Sequence, residues 1–194
     1  MKFSIAPLVV VAASALSASA YTIRFVNNCP YTVWPAVGKA PNGQPDNSVR
    51  FGARLDSRGT TSFGVNDREI GIRAWGRTGC DGNGANCATG RCNGGIVCND
   101  SGITSNCILS EYGWGDNGPQ WGGQRTFWNL SRAPVNNGPT LPLNIPTRLT
   151  GPDGQTVACT GSSCPRDQCF IADNDFGAVR NSALGGTFTH TFCP

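Results

Sequence analysis

Tyr21-Thr22-Ile23-Arg24-Phe25-Val26-Asn27-Asn28-Cys29-Pro30-Tyr31-Thr32-Val33-Trp34 is the stretch whose reading decides the fold. Ile23 and Phe25 fall on one side of an extended chain, Thr22 and Arg24 on the other. That period of two marks Tyr21 to Val26 as a half-buried strand. Thr32-Val33-Trp34 reads as a second short strand. Outward from there, residues 35–48 are rich in Pro, Gly and Asn and read as a loop. Thr60 to Val65 and Ile70 to Arg77 read as strands. In the latter, Ile72 and Ala74 face one way, while Arg73, Trp75 and Arg77 face the other. Residues 79–102 hold Cys, Gly and Asn with little periodicity. Ile108 to Tyr112 and Thr126 to Leu130 flank a Gly/Trp-rich loop, and Val135 to Pro146 is a Pro-rich loop. Thr187 to Phe192 alternates again, placing Phe188, His190 and Phe192 together. Short strands separated by turn signals predict a mainly β protein, an antiparallel sandwich or flattened barrel.

Composition agrees. The chain has 194 residues, of which 26 are Gly and 13 are Pro, leaving little room for helix interiors. Charged residues make up 14%, below the roughly 25% of an ordinary soluble domain. A coiled coil, a helical bundle and a strongly basic nucleic-acid binder are excluded. Met1-Lys2, an apolar run from Phe3 to Leu16 and Ala18-Ser19-Ala20 read as a signal peptide over residues 1–20, cut after Ala20. The run is shorter than the about 20 residues needed to span a bilayer. One soluble, secreted domain over 21–194 is expected, with no integral membrane segment. In that oxidising compartment the ten cysteines read as five disulfides. No Cys-x-x-Cys pair occurs and His190 is the only histidine, so no metal or other cofactor is expected. Loss of Lys2 would lower the formal charge from +3 to +2, too little to steer the protein toward phosphate or anionic lipid.

Arg24 to Trp34 resembles the opening of the thaumatin-like, or osmotin-like, family. Other strings follow in that family's order: Ile72-Arg73-Ala74-Trp75-Gly76-Arg77-Thr78-Gly79-Cys80; Cys87-Ala88-Thr89-Gly90-Arg91-Cys92 with Gly94-Gly95 and Cys98; Leu109-Ser110-Glu111-Tyr112; Phe127-Trp128-Asn129-Leu130-Ser131; Asn144-Ile145-Pro146; and Phe192-Cys193-Pro194. Arg91 stands where the family usually has aspartate, and Asn83 where it has glycine. With ten cysteines rather than sixteen, the chain is similar to the family's small members, which implies a reduced second lobe. The resemblance implies the pairs Cys29–Cys193, Cys80–Cys87 and Cys92–Cys98. By the chain-entropy model the first, closing the longest loop, is worth about 5 kcal/mol and the short ones about 2 to 3. Cys107, Cys159, Cys164 and Cys169 would form two more bridges. Each of the three possible connectivities joins Cys107 to one of the later three.

Many members have an acidic cleft of one arginine and four carboxylates, associated with binding, and in some cases cleaving, β-1,3-glucans. Carried over, the arginine falls on Arg73, the glutamate on Glu111, the first aspartate on Asn129 and the last on Asp173, with Asp175 two residues on. The remaining aspartate falls in Ala133 to Leu143, which holds no acid. Two carboxylates would be left, and glycoside hydrolysis needs two. The resemblance therefore implies a shallow, weakly acidic cleft of Arg73, Glu111, Asn129 and Asp173 binding β-1,3-glucan or a related cell-wall polysaccharide. Among the aromatics around Glu111, Tyr112 and Trp114 are the expected exposed sugar platforms, with Phe127 and Trp128 in the core. The expected role is cell-wall remodelling or defence by a secreted, cell-wall-associated monomer. A weak endo-β-1,3-glucanase using Glu111 as acid and Asp173 as base or nucleophile is the first alternative. A non-catalytic interaction protein with a basic face of Arg50, Arg54, Arg58 and Arg68 is the second. Asn99 and Asn129 both open glycosylation sequons; Asn99, in a loop, is the expected carrier. His190 reads as a core or sheet-face residue, not a catalytic one.

Overall fold

The computed structural model describes residues 19–133, 139–172 and 174–194. Strands run in chain order as β1 (Ala20–Asn27), β2 (Trp34–Lys39), β3 (Asp46–Gly52), β4 (Thr60–Asn66), β5 (Ile72–Arg77), β6 (Leu109–Asp116), β7 (Gln124–Ser131), β8 (Thr147–Thr150), β9 (Thr156–Cys159), β10 (Arg180–Ala183) and β11 (Thr187–Phe192). They build two sheets, β4-β1-β11-β8-β9 and β10-β7-β6-β5-β2-β3. All neighbours are antiparallel except β1 and β11, the first and last strands, which run parallel.

The alternation seen in the sequence is what joins the two sheets. Ile23 and Phe25 of β1 and Phe188, His190 and Phe192 of β11 are all buried. They meet Ile72, Ala74, Tyr112, Trp128 and Leu130 from the other sheet in one core. Each large apolar side chain sealed there contributes about 1.5 to 3 kcal/mol. Disulfide Cys29–Cys193 ties the ends of β1 and β11 together.

Two expectations are corrected. Residues 35–48 are not one loop, because they contain most of β2 and the start of β3. Ala36 and Val37 are buried and pair on both sides, and the carbonyl of Pro35 still accepts from Ala53 N at 3.2 Å. Strands β8, β9 and β10, four residues each, were too short to show a period. Not every cysteine is paired. Disulfides join Cys80 to Cys87, Cys92 to Cys98 and Cys159 to Cys164, while Cys107 and Cys169 are buried thiols. Cys107 sits in a separate small core with Ala36, Trp75 and Leu109, so no bridge spans from it to the later cysteines. The described residues of the second lobe, 160–172 and 174–178, are irregular apart from one turn of 3-10 helix at Phe176–Ala178.

Candidate functional site

The register of the six-stranded sheet puts Gly38 of β2 opposite Arg73 of β5, Arg73 opposite Glu111 of β6, and Glu111 opposite Asn129 of β7. Directly opposed residues on neighbouring strands point to the same face. Three positions implied by the resemblance thus form one row across the sheet's outer face. The Asn129 amide Nδ2 donates to Glu111 Oε2 at 3.0 Å. All three side chains are half-buried.

Two loops rise beside this row. Gly38 lets the first approach: a Cβ there would lie 2.7 Å from the Cα of Ser101. Asp100 fixes that loop, with Oδ2 accepting from Asn93 N (3.0 Å) and Thr104 Oγ1 (2.6 Å) and Oδ1 from Gly102 N (3.1 Å). The second loop carries Asn42 and Gly43. It is clamped by Lys39, whose ammonium pairs with Asp46 at 2.8 Å and Glu69 at 2.7 Å. Those two hydrogen-bonded carboxylates hold the Lys39 pKa above its ordinary value.

Between the walls lies a groove in two adjoining parts. One, about 620 Å³, is lined by Arg73, Glu111, Ile103, Ser131 and Phe170 among others. The other, about 320 Å³, is lined by Arg73, Glu111, Asn129 and Phe127 among others. A further concavity of about 530 Å³ shares Ser105 and Asn106 with the first and runs on past Arg91, Thr104 and Asn144.

Strand parity corrects the aromatic assignments. Successive side chains on a strand point to opposite faces, so Tyr112 and Trp114 lie on the face away from Glu111. Tyr112 is 2% exposed, packs on Tyr21 and Phe188, and donates its hydroxyl to Ser110 Oγ at 3.2 Å. Trp114 is covered by the Arg68 guanidinium, 5.3 Å from its ring centroid. Phe127, expected in the core, shares the groove face with Asn129. Its ring lies over Gly115, where a Cβ would come within 2.7 Å of it. The parity of Phe127 with Asn129 was the signal available in the sequence. Phe170 sits in a loop with no periodicity and gave none. Trp128 is fully buried, as expected.

The acids are less complete. Asp173 lies outside the described residues. Asp175 is buried and turned into its own loop: Oδ2 accepts from Ile171 N and Ala172 N at 3.0 Å each, and Oδ1 pairs with Arg166 at 3.1 Å. Among the residues described as lining the groove, Glu111 is the one carboxylate and Arg73 faces it from the next strand.

His190 does stand beside a serine, with Nδ1 2.9 Å from Ser110 Oγ. The Ser110 proton goes to the Ala74 carbonyl at 3.1 Å, so His190 must donate from Nδ1. Its Nε2 then has no partner. Both residues are fully buried, and desolvation pushes the imidazole pKa down to about 3. This is a neutral core histidine, with no path to substrate.

Two groups of three metal-ligand atoms occur among the described residues, Cys159/Cys164/Cys169 and Cys92/Cys98/Asp100. Each contains a disulfide, which removes the thiolates a metal would need. Of the four arginines of the alternative basic face, all are exposed; Arg54 pairs with Asp56 at 3.1 Å and Arg68 is held over Trp114. No helix among the described residues is long and apolar enough to cross a membrane.

Comparison with known proteins now bears on this arrangement. The Thaumatin family profile matches residues 27–193. The chain is 34% identical over 184 residues to a thaumatin-like pathogenesis-related protein 3 of Avena sativa, covering 93% of this chain and 91% of the relative. It is 34% identical over 152 residues to a glucan endo-1,3-beta-glucosidase of Prunus avium, covering 76% of this chain and 56% of that protein. Among solved structures, a thaumatin-like xylanase inhibitor superposes with a TM-score of 0.58 at 21% identity, covering 89% of this chain and 99% of the other. The chain belongs to the thaumatin family.

Proposed function

We propose that the groove over β5, β6 and β7 binds β-1,3-glucan without cleaving it, and that the protein acts outside the cell in wall remodelling or defence. The observation that carries this reading is the Arg73–Glu111–Asn129 row on the floor of a walled groove. A guanidinium donates to sugar hydroxyls, a carboxylate accepts from them, and the Asn129 carbonyl oxygen adds an acceptor beside its bonded amide. Phe127 and Phe170 offer apolar surface to the C–H faces of the rings. The adjoining concavities give a path longer than one sugar, which suits a polymer. The Prunus avium relative's name supports the same substrate class.

Binding is favoured over hydrolysis because Asn129 and the acid-free stretch 133–143 stand where the family resemblance would put two of its four carboxylates. Hydrolysis needs a protonated acid and a second, ionised one flanking the bond. Asn129 cannot act as either, and its amide occupies Glu111 Oε2 with a hydrogen bond. A glycan on Asn129 would fill the groove, so Asn99, exposed in its loop, is the proposed carrier. Secretion would remove residues 1–20.

The test is incubation of the secreted protein with insoluble β-1,3-glucan, measuring both protein depleted from solution and reducing sugar released. Depletion without sugar is expected, together with an intact mass that starts at Tyr21. Sugar release lost in Glu111→Gln would replace binding by hydrolysis, with Asp173 as the second acid. No depletion and no sugar would refute a glucan role.

A further inference from the structure

Cys159 closes β9, and Cys164 and Cys169 follow at intervals of five residues. Their three Sγ atoms lie within 4.8 Å of one another. Two of these sulfurs form a disulfide and the third is a thiol. All three residues are buried, Cys159 and Cys169 completely, so thiols in solution cannot reach them. A buried guanidinium completes the cluster. Arg132 Nη1 lies 3.3 Å from Cys164 Sγ and also donates to Ser162 O at 3.0 Å, while Nε donates to Leu141 O at 2.6 Å. The backbone beside Cys169 is stitched to β7 through Phe170 N to Leu130 O (3.0 Å) and Arg132 N to Phe170 O (2.7 Å). The other buried thiol, Cys107, belongs to no such three-sulfur group among the described residues.

We propose that this cluster is an intramolecular thiol–disulfide exchange site. The Cys169 thiolate attacks Cys159 Sγ. An S–S bond forms between Cys159 and Cys169 as the Cys159–Cys164 bond breaks, and Cys164 leaves as a thiolate. The proton lost by Cys169 is balanced by one taken up at Cys164. One disulfide and one thiol exist before and after, so no oxidant or reductant is consumed. Arg132 assists both ends of the exchange, since its charge also favours the attacking Cys169 thiolate. A thiolate leaves most readily where a positive charge stabilises it, and the guanidinium touches Cys164. The exchange moves the bridge onto the segment that carries Phe170, a groove-lining residue.

Desolvation pushes the Cys169 thiol up to about 12, with Arg132 pulling against it. The attacking thiolate is therefore scarce at neutral pH, and the rate rises about tenfold per pH unit through the alkaline range.

The test holds the folded protein at pH 7, 8 and 9, quenches in acid, alkylates free thiols with N-ethylmaleimide in denaturant, and maps unreduced tryptic peptides by mass. Cleavage after Arg166 separates Cys169 from Cys159 and Cys164. Peptide 167–180 is expected to become cross-linked to peptide 149–166, with the alkyl group on Cys164 and a rate growing about tenfold per pH unit. Arg132→Gln should slow this about tenfold. Should that variant fail to fold, Cys164→Ser provides an independent arm, because it should fold with Cys159 bridged to Cys169. An unlinked, alkylated 167–180 peptide at every pH, a link from it to peptide 92–125 carrying Cys107, or two free thiols at Cys159 and Cys169 in Cys164→Ser would each overturn the proposal.

Discussion

The groove floor and the cysteine-rich loop above it are held by different forces. On the floor, position follows from strand register: Arg73, Glu111 and Asn129 stand in a row because their backbones are paired. The loop over residues 79–106 forms no strand, only isolated bridges such as Thr78↔Thr89 and Gly94↔Cys98. It is held by two disulfides and by Arg77. That guanidinium, fully buried, donates to the carbonyls of Trp34 (3.0 Å), Gly84 (3.0 Å), Gly95 (2.7 Å) and Ile96 (2.7 Å). Burial lowers its pKa to about 10, so it remains a cation at neutral pH, with no carboxylate partner among the described residues. A register distributes its geometry over many bonds, whereas a hub concentrates it in one side chain. The two regions should fail differently.

Arg77→Ala should produce the largest effect. Four carbonyls lose their donor, and an unpaired buried polar group costs about 1 to 3 kcal/mol. Even with water replacing some of these bonds, a loss of about 4 kcal/mol or more is expected, with proteolysis first in residues 79–106. Unfolding midpoints and mapped cleavage sites check this. A variant that melts like the wild type would abolish the contrast.

The next effect is acid sensitivity in the core between the sheets. His190 titrates near 3 when folded and near 6.5 when unfolded. The unfolded chain therefore binds the extra proton between those values, and stability falls as pH drops from about 6.5 toward 3. At about 1.4 kcal/mol per pH unit, roughly 4 kcal/mol is at stake across that window. Urea unfolding at pH 7, 5 and 4 should show this slope, and His190→Phe should flatten it by about one proton. An unchanged slope would place the acid sensitivity elsewhere.

The row itself sharpens the comparison. Phe127→Ala should weaken retention on β-1,3-glucan about fivefold with little change in stability, as expected for loss of a partly exposed platform. Tyr112→Phe, on the opposite face of β6, should leave retention unchanged and cost about 1 kcal/mol through the lost hydroxyl bond. The reverse pattern would mean that the faces are assigned backwards. A smaller effect is expected of Asn129→Asp. The amide donor to Glu111 is lost and two carboxylates face each other, so retention at pH 7 should fall about twofold to threefold.

Much of this was legible in the residues. Alternation in Tyr21–Val26 and Thr187–Phe192 exposes the core, because apolar residues two apart on a strand share a face. The same rule, applied to Glu111 and Tyr112, would have excluded Tyr112 from the groove; adjacency in sequence is opposition in a strand. β2 was hidden by Pro35 and Gly38, which weaken the strand pattern. Gly38 earns its position through the close approach of Ser101, a long-range contact that no local pattern encodes. The groove walls and the fate of Cys107 and Cys169 were illegible for the same reason, since loop contacts depend on which strands end beside one another. Asp175 carried a plausible acid that its own loop consumes through two backbone amides.

The most direct measurement is an NMR titration of the isotopically labelled protein with a soluble β-1,3-linked glucose hexamer. Saturable amide shifts should centre on Arg73, Glu111, Phe127 and Asn129, with weaker shifts along Ile103 to Asn106. Shifts confined to other exposed aromatics such as Trp121 or Tyr31, or no shifts at all, would contradict the assignment of the groove as the glucan site.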